Sequence, residues 1–129
     1  MEMEREEEAF SIVKRAKSFT YAGRGIWLLG KTTHNAWIHI GILIIAISAG
    51  FYFGISGTDW ALLVLAAGLV LAAEAFNTAI EIDIDLTSPN YHPFARDTKD
   101  VAAGAVLITA ITAALIGLII FGPYIFALV

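Results

Sequence analysis

Apolar residues fall in three long blocks, at 36–55, 59–86 and 101–126, behind a mixed stretch at 9–29. Each block suffices for the ~20 apolar residues that cross a ~30 Å hydrocarbon core. The mixed stretch reads differently. Phe10, Ile12, Val13, Ala16 and Phe19 alternate with Lys14, Arg15 and Lys17. That spacing predicts an amphipathic helix lying in the membrane interface, its basic face toward anionic headgroups. A helix packed on the bundle would carry the same pattern. Gly23, Gly25 and Gly30 are expected to interrupt it, since glycine is a poor helix former. Pro123 falls near the end of the third block, where a membrane helix tolerates it. The predicted fold is an all-α membrane protein: one domain over 9–129, made of a surface helix and three transmembrane helices, behind an acidic flexible tail at 1–8.

Composition supports lipid as the solvent. Of 129 residues, 58% are hydrophobic and 16% charged, too apolar for a soluble domain of this length. No cysteine is present, which excludes a disulfide framework and a thiolate metal site. The net charge of −4 comes partly from the tail, Glu2 to Glu8, and nothing is basic enough to hold nucleic acid. The chain begins acidic and has no immediate apolar core, so its start does not read as a signal peptide. All eight Lys and Arg lie before the first block (Arg5, Lys14, Arg15, Lys17, Arg24, Lys31) or between the second and third (Arg96, Lys99). The positive-inside rule then puts the N-terminus and the 87–99 loop in the cytoplasm and the C-terminus outside.

The second block ends in Glu74-Ala75-Phe76-Asn77-Thr78-Ala79-Ile80-Glu81-Ile82-Asp83-Ile84-Asp85. On a helix, Glu74, Asn77, Glu81 and Asp85 lie at relative angles of about 0°, −60°, −20° and +20°. Asp83 points the other way. A solvated helix end accounts for Asp83 and for Asp85. It does not account for Glu74, which has apolar sequence on both sides. Acids inside a membrane helix are costly unless they meet something positive, so this face is the candidate site.

Two other features point nowhere by themselves. Gly25-Ile26-Trp27-Leu28-Leu29-Gly30-Lys31-Thr32 matches the phosphate-binding pattern G-x-x-x-x-G-K-[ST]. That loop works between a strand and a helix, with backbone N–H groups around the phosphates. Here the preceding segment reads as helix and four bulky residues fill the loop, so the match is read as coincidence. Lys31 remains a simple cation near the cytoplasmic surface. His92 is one histidine in the turn 87–93, and spacing alone gives it no metal role.

The run Glu74-x-x-Asn77-Thr78-Ala79-Ile80-Glu81, then Asp85-Leu86, then Tyr91-His92-Pro93-x-Ala95-Arg96-x-x-Lys99-Asp100-x-Ala102-Ala103-Gly104-Ala105-Val106-Leu107, resembles the small bacterial membrane kinases of the diacylglycerol kinase and undecaprenol kinase family. Ser18-Phe19-x-Tyr21-Ala22-x-x-Gly25-Ile26 and Asn35-x-x-Ile38-His39 continue the likeness upstream. The resemblance implies a homotrimer in the bacterial inner membrane, with sites between subunits. It implies transfer of the γ-phosphate of ATP, with Mg²⁺, to the hydroxyl of a membrane lipid alcohol at the cytoplasmic interface. By the same likeness, Glu74 is the general base and Asn77 stands beside it. Glu81 binds the metal. Lys99, Asp100, Tyr21 and the turn Asn90, Tyr91 and His92 contact nucleotide, and Lys14 stands near the phosphates. The residue chemistry is compatible: a carboxylate can take the proton of an attacking hydroxyl, and Mg²⁺ is commonly held by one or two carboxylates plus phosphates.

One departure stands out. The family's second metal-binding glutamate corresponds to Thr33 here, and no acid occurs between Glu8 and Asp59. A hydroxyl is a weaker Mg²⁺ ligand than a carboxylate. The alternative reading is therefore a non-catalytic, kinase-like membrane protein that binds lipid or nucleotide. A cation pathway along Glu74 and Glu81 would need a continuous polar path, which the stretch 61–73 does not offer.

Overall fold

The computed structural model describes residues 11–129, so the acidic tail and the start of the 9–29 stretch lie outside the described residues. Four helices follow one another: α1 (Ile12–Thr32), α2 (His34–Phe53), α3 (Gly57–Thr87) and α4 (Pro93–Phe126). Three of them, α2, α3 and α4, are long and apolar enough to cross a membrane. Many of their large side chains face outward, among them Ile45, Leu118 and Ile119. A membrane protein can expose such surface, because hydrocarbon tails solvate it.

Local chemistry accounts for the helix ends. The Ser11 hydroxyl accepts the Lys14 N–H (3.4 Å) and opens α1. Thr33, in extended conformation, is the single residue between α1 and α2. α2 stops at Gly54, whose φ of 62° is left-handed and suits glycine. Ser56 then caps α3 through a reciprocal box with Asp59: the Asp59 N–H donates to Ser56 Oγ (3.1 Å), and the Ser56 N–H donates back to Asp59 Oδ2 (3.3 Å). His92 caps α4, its Nδ1 accepting the Phe94 N–H (3.2 Å), and Pro93 takes the first turn, where its missing N–H costs nothing.

Two expectations need correcting. Gly23, Gly25 and Gly30 do not interrupt α1, which runs unbroken for 21 residues. An isolated glycine costs only about 1 kcal/mol in a helix, and the glycines are separated by residues that sustain it. The third long helix begins at Pro93, eight positions before the apolar block at 101. Its first turns are polar, so hydropathy alone misses them. At ~1.5 Å per residue, the 31 residues of α3 and the 34 of α4 are about 46 and 51 Å long, beyond the ~30 Å of a hydrocarbon core. Both excesses lie where α3 ends and α4 begins. The bundle therefore has a polar end there.

The opposite end is aromatic. Ile55, Leu63 and Ile120 are buried together, with Phe53, Trp60, Phe121 and Tyr124 packed around them. Phe53 stacks on Tyr124 with centroids 5.2 Å apart. Gly50 of α2 packs directly on Trp60 of α3, where an added Cβ would sit 2.7 Å from the ring. Gly50→Val is therefore expected to destabilise the fold by about 1–3 kcal/mol, the usual range for overpacking. Thermal unfolding in detergent should show a lowered midpoint. Gly41→Val, where nothing lies within 4 Å, is the control and should change it little.

Candidate functional site

α3 is the central element, because it packs along α4 most extensively and also against α2 and α1. Its inward face toward the polar end carries Glu74, Asn77 and Thr78, all buried, with Glu74 only 1% exposed. The helical spacing of the acidic stretch is thus realised, but the face changes character along its length. Glu81, Asp83 and Asp85 are exposed.

Glu74 meets α2. The Nε2 of His39 lies 3.0 Å from Glu74 Oε1, yet neither carboxylate oxygen has an aligned hydrogen bond. The two side chains stand within ion-pair distance across the α2–α3 interface. One helical turn further along α3, Thr78 Oγ1 is 3.0 Å from Thr33 Oγ1. Residue numbers rise from Thr33 to His39 while they fall from Thr78 to Glu74. These two contacts therefore fix α2 antiparallel to α3 in one register.

Asn77 points the other way. Its Nδ2 donates to Glu81 Oε1 (3.2 Å), while its Oδ1 is buried without a hydrogen-bond partner. An orphaned amide oxygen beside a carboxylate is a pair of oxygen donors of the kind Mg²⁺ takes. Among the described residues no group of three His, Cys, Asp or Glu could enclose a metal. The donor set fits an ion that takes its remaining ligands from phosphate and water. Thr33, at the position of the second expected ligand, is engaged with Thr78.

A second group of polar residues lies at the polar end, roughly 16 Å along α3 from Glu74 to Asp85. Asn90, Tyr91, His92, Lys99 and Asp100 line a groove of about 270 Å³ there, with Asp85 and Arg96. The Lys99 ammonium is paired with Asp85, and Arg96 Nε lies 3.6 Å from Asp100 one turn on. Tyr21 stands exposed on α1. Lys14 stands in the first turn of that helix. The stretch 25–32 is helix rather than phosphate loop. Lys31 Nζ sits 4.8 Å from the Trp27 ring centroid, a cation–π contact. Trp37 Nε1 donates to the Gly30 carbonyl at 2.6 Å and straps the α1–α2 elbow.

On the side of α3 facing α2 and α4 lies an apolar cavity of about 420 Å³. Leu43, Ala67, Val70, Ala114 and Phe121 line it, and His39 is its one titratable residue. Sequence reasoning assigned His39 no role. A signal was available: it is the one residue of the block 36–55 among Asp, Glu, Lys, Arg and His, and such residues inside a span are functional candidates.

Fold and site together define a small helical membrane protein with a buried carboxylate and a polar groove at one end. Residues 20–121, most of the chain, match the family described as prokaryotic diacylglycerol kinase. An undecaprenol kinase of Bacillus subtilis is 40% identical over 107 residues, which cover 83% of this chain and 87% of that protein. A diacylglycerol kinase of Synechocystis is 39% identical over 78% of this chain and 58% of its own length. One from Helicobacter pylori is 29% identical over 92% and 95%. The chain belongs to the prokaryotic diacylglycerol kinase family and is a lipid kinase by class.

Both ion pairs of the groove are largely exposed, so each should contribute no more than about 1 kcal/mol to stability. Asp85→Asn and Arg96→Gln are expected to leave the unfolding midpoint nearly unchanged. Any large loss of turnover in a variant that still melts normally would then report on nucleotide handling.

Proposed function

We propose that the protein transfers the γ-phosphate of ATP to the primary hydroxyl of a membrane lipid alcohol of the diacylglycerol or undecaprenol type. The observation that carries this reading is Glu74, a carboxylate 1% exposed with His39 Nε2 3.0 Å away and no aligned hydrogen bond to either oxygen. Such a group is costly to keep in an apolar bundle unless a ligand completes it. The adjoining apolar cavity suits the tail of an acceptor lipid. The groove at the polar end, with Lys99 and Arg96, suits phosphates.

In the proposed reaction the acceptor hydroxyl attacks the γ-phosphorus. Its O–H bond breaks as the new O–P bond forms, and Glu74 takes the proton. The bond between the γ-phosphorus and the bridging oxygen breaks, and ADP leaves. Asn77 holds Glu81 in place, and these two would hold Mg²⁺. The ion, when bound, neutralises phosphate charge, the main requirement of phosphoryl transfer besides positioning. Lys99, Asp100, Asn90, Tyr91 and His92 would bind the nucleotide, with Tyr21 and Lys14 contributed from α1. The groove extends past the apolar part of the bundle. The distribution of Lys and Arg supports a cytoplasmic groove, with the C-terminus outside the bacterial inner membrane. We further propose a homotrimer with α1 along the interface. The open, small-residue sides of the cavity, among them Ala110, Ala113 and Gly117, favour close approach by a neighbouring helix.

One observation favours a second reading, a non-catalytic binding protein: Thr33 offers a hydroxyl, already paired with Thr78, where the family likeness implies an acid. Transfer from labelled ATP in lipid nanodiscs separates the two, with diacylglycerol and undecaprenol offered in turn. The kinase reading expects lipid phosphate with at least one of them, and Glu74→Gln should reduce it by ~10²-fold or more. Absence of product from a folded protein would favour the binding protein. Thr33→Glu is expected to lower the Mg²⁺ concentration for half-maximal rate. An unchanged Mg²⁺ titration would show that the ion is held without that position.

A further inference from the structure

His39 lies where two otherwise separate features meet. On one side its Nε2 is 3.0 Å from Oε1 of the buried Glu74. On the other its ring forms part of the wall of the apolar cavity between α2, α3 and α4. Its side chain is 21% exposed against 1% for the carboxylate, so the imidazole is the more accessible of the pair.

The physical problem at this point is specific. A carboxylate in an apolar bundle has rotamer freedom about three bonds, and Glu74 has no aligned hydrogen bond to restrict it. A base must be held to within a fraction of an ångström of its productive position, and that takes a partner on a rigid element. Thr78, one turn away on the same helix, is engaged with Thr33. Asn77 donates to Glu81. Among the described residues, His39 is the basic side chain within ion-pair distance of Glu74. It projects from a different helix, so it fixes the carboxylate against the bundle rather than against its own backbone. Helix axes in contact lie ~8–10 Å apart, a gap that a Glu and a His can span together.

We propose that His39 is a positioning residue for Glu74. An Nε2–H directed at Oε1 holds one carboxylate oxygen and leaves the other for the acceptor hydroxyl. The imidazole thereby marks the place where the apolar cavity gives way to the reacting group. This rests on the reading of Glu74 as the base. It gives a role to the one histidine of the three that lies inside an apolar block. His34 and His92, by contrast, are both exposed.

The test compares His39→Gln, which retains an N–H donor of similar reach, with His39→Met, which has similar length and no donor. Both are made in the full-length protein in nanodiscs, beside Glu74→Gln. We expect His39→Met to lower kcat by about 10²-fold, as for a misplaced catalytic group, with the KM for ATP unchanged. His39→Gln should recover at least tenfold of that loss. Equal kcat in the two, at any level, overturns the proposal. So does a loss expressed mainly in the KM for ATP. A second measurement does not depend on either variant folding. With ¹⁵N-labelled histidine, the His39 Nε2 resonance should move when Glu74 is changed to Gln, and an unmoved resonance overturns the pairing. The failures are distinguishable. Full turnover in Glu74→Gln removes the base itself, whereas an inactive Glu74→Gln with an indifferent His39→Met leaves the base standing and removes His39.

Discussion

Burial of one carboxylate constrains this protein more than any other feature. Glu74 sits on α3 at 1% exposure with apolar neighbours before it in the chain and a histidine across from it on α2. An unpaired charge in such surroundings would cost several kcal/mol. The bundle answers by bringing α2 alongside α3 in a register that pairs His39 with Glu74 and Thr33 with Thr78. Beside these contacts, Thr33 forms the single-residue elbow between α1 and α2, which Trp37 straps to the Gly30 carbonyl.

The two ends of the bundle then have different tasks. At one end Phe53, Trp60, Phe121 and Tyr124 close over a small core, and Gly50 lets α2 and α3 approach. At the other, α3 and α4 continue beyond the length a membrane requires and carry ion pairs and a turn capped by His92. Stability comes from the aromatic end and from the long contact of α3 with α4. The polar end can give up its exposed pairs to a ligand at small cost. Between the ends lies the apolar cavity, whose wall includes His39, the partner of the carboxylate.

Much of this was legible in the sequence, and the misses have physical causes. The three membrane helices follow from apolar blocks whose length the bilayer dictates. The buried face of α3 follows from the 3.6-residue period applied to Glu74 and Asn77. The continuity of α1 through Gly23, Gly25 and Gly30 was missed, because a per-residue propensity of about 1 kcal/mol is too weak to break a helix of 21 residues. The early start of α4 was missed because its first turns are polar, and the signal there is a cap at His92 and Pro93 rather than hydropathy. His39 was passed over because its partner is 35 positions away, and one polar residue in an apolar block has no periodicity to reveal it.

By itself the sequence determined the solvent, the number of spanning helices, the polar face of α3 and the family, all of which depend on local composition or on residues near one another in the chain. Tertiary structure alone decided what faces the buried acid, and that the groove around Lys99 lies about three turns of α3 away from Glu74. The reason is that periodicity assigns a residue to a face but says nothing of the face opposite. The contacts from Thr33 to Thr78 and from His39 to Glu74 are choices of register between helices, made by packing.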